Sequence, residues 1–186
     1  NESVYLKEIF SLIFPEFENL KRLDRLVKIC DYTQVNRELL LAVLLIDENN
    51  NHEYFVHKYN VSNNIKENLN FYAKNLKLLK GNKNFFKKDL KKNIYLNNKN
   101  YLVNLNIINY VIDEKYNFKD FSETLKKILK SKIQKFPIDG KYLMNNGMKQ
   151  GSQIGKVLKM VEEEWIKNDF QISEGQMKEI IRSHSD

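Results

Sequence analysis

The chain has 186 residues, 42% of them hydrophobic, and a formal net charge of +7 with a pI near 9.2. That length holds one domain, or one domain with a small appendage, and the apolar share suffices for a sizeable core. Cys30 is the lone cysteine, which excludes a disulfide framework and a structural zinc set, and no apolar run approaches the ~18 residues that span a bilayer.

The start, Asn1-Glu2-Ser3-Val4-Tyr5, is polar and acidic and so does not read as a signal peptide. With no initiator Met, it reads as a piece trimmed from something longer, and the cysteine usage fits a cytoplasmic protein. Two Pro and six Gly are few breakers for this length and favour long helices. Leu20, Leu23, Leu26, Val27 and Cys30 recur at helical spacing, which makes Cys30 a core thiol. Asn36 is placed to cap the next helix, with Leu39, Leu40, Val43, Leu44 and Ile46 inward. Asn49-Asn50-Asn51 breaks the pattern. Ser62 is placed to cap a helix running to about residue 80, with Ile65, Leu69, Tyr72, Leu76 and Leu79 inward and Gly81 as its stop.

Further on, Phe85 to Leu96 reads as a lysine-faced helix. Leu102, Leu105, Ile108, Val111 and Ile112 make another. Phe121, Leu125, Ile128, Leu129 and Ile133 make the next, with Lys126, Lys127, Lys130 and Lys132 around its polar side. Pro137 disfavours helix at Phe136, and four of the six Gly fall between 140 and 155. The expected organisation is therefore all-α: a multi-helix body over 1–133 and a small helical tail over 134–186. In the tail, Ile154, Val157, Leu158, Val161 and Trp165 form one stripe, and Ser173 with Gln176 fits a capping box.

Charge is unevenly spread. Residues 1–60 carry ten acidic and seven basic side chains, whereas 74–99 carry nine Lys against Asp89 alone. Such a local excess suits a polyanion. The 25 Asn that accompany the many Lys also fit a composition drift at neutral surface positions.

The residues of several chemistries are missing. No Asp-x-Asp offers paired carboxylates for Mg²⁺. Glu162-Glu163-Glu164 reads as a solvated helix face, since alternate residues lie about 200° apart. His52 and His57 are five apart, about 140° on a helix, and so fail the spacing of a helical zinc pair. His184 is expected to be exposed. Gly155-Lys156 is no P-loop, because Gln150 and Val157 stand where glycine and a hydroxyl are needed. The chain alone is expected to be inactive, with no cofactor and no catalytic residue of its own.

The informative stretch runs from Phe136 to Trp165. Gly140 is placed to close the turn after Pro137, and Gly147 to end a short helix carrying Leu143 and Met144 with a positive φ. Gly151 precedes the next helix. Gly155 lies one turn inside it, where close approach by another helix would offset about 1 kcal/mol of lost propensity. A glycine turn into a helix N-terminus can seat a phosphate, with Lys149, Gln150, Gly151, Ser152 and Lys156 around it and Lys141 close by in sequence. The same spacing also reads as a tight helix–turn–helix whose glycines serve packing only.

Ten of these positions, Pro137, Ile138, Gly140, Leu143, Gly147, Gly151, Ile154, Gly155, Leu158 and Trp165, match at fixed spacing over 29 residues. The pattern resembles the tail of the bacterial-type CCA-adding tRNA nucleotidyltransferase and poly(A) polymerase family. Tyr142, Met148 and Ser152 depart from the residues usual there. Leu12-Ile13-Phe14-Pro15-Glu16, the Leu20–Leu26 run and the helix around Leu44 resemble the start of that family's body; 50–130 match only in helical character.

The resemblance implies a poly(A) polymerase C-terminal-region-like fold that holds the acceptor–T arm of tRNA, with no membrane partner. A separate N-terminal catalytic head would use Mg²⁺ with CTP and ATP to extend the 3′ end. No residue here matches the head's motifs. The same region of a bacterial poly(A) polymerase, or a helical protein-interaction module without RNA binding, are the alternatives.

Overall fold

The computed structural model describes residues 2–183, so His184 lies outside the described residues. Among those described, the regular elements are eleven α-helices and one 3-10 turn, with no strand. The chain divides into two compact units, Asn1–Ser131 and Lys132–Asp186, against a division at 133/134 read from the sequence.

The first unit contains α1 (Glu2–Ile13), α2 (Arg22–Val27), a 3-10 turn (Cys30–Tyr32), α3 (Arg37–Leu45), α4 (Asn51–Tyr59), α5 (Asn63–Gly81), α6 (Leu90–Asn97), α7 (Lys99–Ile112) and α8 (Phe118–Lys130). Its centre is α7, which packs against α2, α3, α5, α6 and α8. A helix surrounded by others is apolar on nearly every side, and Leu102, Leu105, Ile107, Ile108, Tyr110 and Val111 are all buried. Ile107 and Tyr110 lie outside the stripe read from periodicity, because α7 has neighbours on more than one face. On α3, the Asn36 side chain accepts from the Leu39 amide at 2.8 Å, as its position predicts.

Several expectations are corrected. The helix from Leu20 stops at Val27, and the change of register turns Ile29 inward instead of Cys30. Cys30 is exposed, not a core thiol, and Val27 is exposed as well. Ser62 precedes α5 but makes no side-chain cap bond. Residues 83–89 form turns, so the lysine-faced helix begins at Leu90, with Phe85 buried beneath the turns. The extended backbone that follows Lys130 leaves Ile133 exposed, and Leu129 faces solvent with 58% of its surface open.

Asparagine does more than fill neutral surface. Asn36, Asn98 and Asn117 cap helices, and Asn68, Asn75, Asn106 and Asn109 are buried. A chain of rings, Phe10, Phe14, Phe17, Phe55 and Tyr59, links α1 to α4 with centroid separations of 4.8–6.5 Å. The rest of α1 presents Tyr5, Leu6, Ile9, Leu12 and Ile13 to solvent.

The second unit contains α9 (Gly140–Asn145), α10 (Gln153–Lys167) and α11 (Glu174–Arg182). Its own core joins Ile138, Leu143, Met148, Val157, Val161, Met177 and Ile181. Trp165 is buried with Phe136 and Phe170 against it at 5.4 and 4.8 Å. Ser173 and Gln176 form the expected capping box at α11.

Candidate nucleic-acid interface

The tail turn is assembled by local bonds. Asp139 accepts from the Tyr142 amide at 2.9 Å and starts α9. Gly140 is therefore the first residue of that helix rather than the closure of a turn. A Cβ there would meet Ile154 Cγ2 at 3.3 Å, so Gly140 lets α10 pack closely. At the other end, the Met148 amide bonds the Leu143 carbonyl and the Gly147 amide bonds the Met144 carbonyl, both at 3.1 Å. This double closure requires a left-handed residue, and Gly147 has φ +103°. Met148 is buried directly after it, which anchors the exit of the turn.

Beyond Met148 the chain is open. Lys141, Lys149, Gln150, Gly151, Ser152 and Lys156 are all exposed. Among the described residues, no carboxylate lies within ion-pair distance of Lys141, Lys149 or Lys156. Ser152 makes no capping bond to α10.

Gly155 corrects the expectation of a closely approaching helix. A Cβ at Gly155, or at Gly151, would meet nothing within 4 Å. Gly155 therefore has no packing use within its own unit. Replacing it with alanine raises the stability of the tail by about 0.5–1 kcal/mol, from helix propensity alone. Gly147→Ala, at a positive φ, lowers stability by about 1 kcal/mol or more. Chemical denaturation followed by Trp165 fluorescence reads both signs.

The nine lysines of 74–99 spread over α5, the 83–89 turns, α6 and the start of α7. Lys74, Lys77, Lys83, Lys87, Lys88 and Lys92 are exposed, with no carboxylate of the described residues in ion-pair range. Two others have partners: Lys80 meets Glu48 at 3.4 Å, and Lys99 donates to the Leu129 carbonyl at 3.0 Å.

Among the described residues, no group of three or more His, Cys, Asp or Glu side chains is placed to hold a metal. Within the acidic run, Glu164 accepts from Lys167 and Asn168. Among the described residues, no helix is long and apolar enough to cross a membrane. No family model, curated protein or solved structure matches the chain.

Proposed function

We propose that this chain is the RNA-holding body and tail of a CCA-adding tRNA nucleotidyltransferase, gripping the acceptor–T arm so that a separate head extends the 3′ end with CTP and ATP. The observation that carries the reading is the tail turn. Five side chains able to donate to phosphate, Lys141, Lys149, Gln150, Ser152 and Lys156, stand exposed around glycines that leave the backbone open. Duplex RNA offers phosphates, 2′-OH groups and shape at its minor groove, and such a surface suits contacts without sequence preference. Holding the arm is an entropic contribution, which replaces a search by placement. The apolar face of α1, with Leu12 82% exposed, offers a surface on which a neighbouring domain can rest.

The test is the Lys149→Gln, Lys156→Gln double variant, whose sites are exposed and carry no internal bond. Its affinity for an acceptor-stem minihelix falls, and the slope of log affinity against log salt loses about two units, near one per lost phosphate contact. Unchanged binding would remove the turn from the contact surface and favour the interaction-module reading.

A further inference from the structure

α4 and α5 form a hairpin closed by residues 60–62, and such a short connection makes them antiparallel neighbours. Between them lies an open cleft of about 950 Å³. One wall is cationic. Lys66, Lys74 and Lys77 fall within an arc of about 80° on α5, and all three are exposed with no carboxylate of the described residues in ion-pair range. The other wall carries His52 and His57. In an antiparallel hairpin, His52 stands by the Lys74–Lys77 end and His57 by the Lys66 end. Val56, Val61 and Ala73 give the cleft an apolar lining, and among the described residues that line it Glu53 is the one carboxylate.

His52 supplies a second, independent observation. It is 2% exposed, and its Nδ1 is buried with no hydrogen-bond partner. A buried ring nitrogen without a partner loses its hydration and gains no bond in return. Its Nε2 lies 4.0 Å from Glu53 Oε1. The charged groups that act on the ring are Glu53 on its own helix, Asp47 before α4 and Lys77 on α5. Burial holds His52 below the ordinary histidine range; Glu53 and Asp47 raise it, and Lys77 lowers it further. At neutral pH the ring is therefore uncharged beside the lysines. An anion placed between them reverses that balance and draws a proton onto His52.

We propose that the α4–α5 cleft binds the phosphate of a nucleotide-sized ligand, free or as one unit of an RNA strand, seated by Lys74 and Lys77 with His52 taking up a proton on binding. Lys66 and His57 hold the far end of the same ligand. A cleft of this size fits a small ligand. The site is built from the first unit alone and does not depend on the RNA reading.

The whole chain is titrated with sodium sulfate, cytidine 5′-monophosphate and the minihelix while the histidine ring signals are followed by NMR. Sulfate keeps its charge from about pH 6 to about pH 8, so any pH dependence belongs to the protein. The expected result is a sulfate-induced shift of the His52 ring signals, a raised titration midpoint for His52, and affinity that falls as pH rises, by at most about tenfold per pH unit for one linked proton. Lys74→Gln with Lys77→Gln abolishes the response, and His57→Gln preserves its pH dependence. Saturation by the nucleotide identifies a free ligand; response to the minihelix but not to the nucleotide identifies a strand phosphodiester. No ring shift at about pH 6, a shift that persists in the double lysine variant, or a response to sulfate alone (an adventitious ion only) overturns the proposal.

Discussion

Replacing Arg25 with alanine lowers the stability of the first unit by about 3 kcal/mol. Arg25 Nε and Nη2 donate to the Tyr110 carbonyl at 3.0 and 2.6 Å. Nη2 also reaches the carbonyls of Asp113 and Tyr116, at 3.3 and 2.9 Å. The guanidinium lies 4.5 Å from the centroid of the Tyr110 ring. These carbonyls close the C-terminal end of α7, where a helix leaves acceptors unpaired and favours a positive charge. One side chain from α2 thus satisfies the end of the central helix and the turn after it. Alanine takes this donor from the Tyr110 and Tyr116 carbonyls, leaves the Asp113 carbonyl with the Tyr116 amide alone, and removes the ring contact.

Lysine recovers less than half of the loss, because a single ammonium cannot reproduce the planar fork. Urea denaturation checks this through the midpoint at constant slope. A loss below about 0.5 kcal/mol, the range of an ordinary surface substitution, would show that Arg25 is not a tie.

Asn106→Leu lowers stability by about 2–3 kcal/mol, although it exchanges a polar for an apolar side chain at a fully buried position. Asn106 Nδ2 donates to the Phe121 carbonyl at 3.1 Å, and Oδ1 accepts from the Tyr116 hydroxyl at 2.8 Å. Tyr116 also meets Thr124 Oγ1 at 2.8 Å. The network joins α7, the turn after it and α8. The cost arises because leucine removes two bonds at once, the donor to the Phe121 carbonyl and the acceptor of the Tyr116 hydroxyl, which keeps only Thr124 and the Asp120 carbonyl, and a cycle with Tyr116→Phe shows the coupling as non-additive losses.

The Tyr116 phenol is pushed up to about 12, first by burial and also by Asp120, against the lowering bond to Thr124. Tyr72 is pushed up to about 12 too, chiefly by burial. A folded value above the ordinary value near 10 means that the native state holds these protons more tightly. The associated stability is complete below about pH 10 and is lost as pH rises toward 12. Absorbance titration therefore finds Tyr72 and Tyr116 ionising later than an ordinary phenol; both ionising near pH 10 would contradict the network's burial.

These two positions mark where sequence reasoning ended. Periodicity found the inward faces of α3, α5, α7 and α10, because apolar spacing reports which side of a helix meets the core. Asn36 and the Ser173–Gln176 pair were readable because a cap acts over three residues. Arg25 and Asn106 bond partners up to 91 and 15 positions away, and no local pattern encodes that. Helix ends were the other failure. Once α2 stopped at Val27, Cys30 left the core stripe and Ile29 took its place.

In the tail, the spacing marked Gly147 correctly as a left-handed stop. It misread Gly155, since a pattern of glycines does not show what lies beside them. His52 and His57 lie about 140° apart on a helix wheel, too far for one contact face, yet both line one cleft. A cleft between two helices takes in a wider arc than a single contact face.

The most direct test of the RNA-holding account is the affinity of the chain for an acceptor-stem minihelix, measured by fluorescence anisotropy across a salt series. Lysine contacts to phosphate release counterions, so binding weakens steadily as salt rises. Contacts from Lys141, Lys149 and Lys156 alone give a log–log slope of about −2 to −3, and body lysines steepen it. No binding at the lowest salt, or an affinity indifferent to salt, would contradict the account.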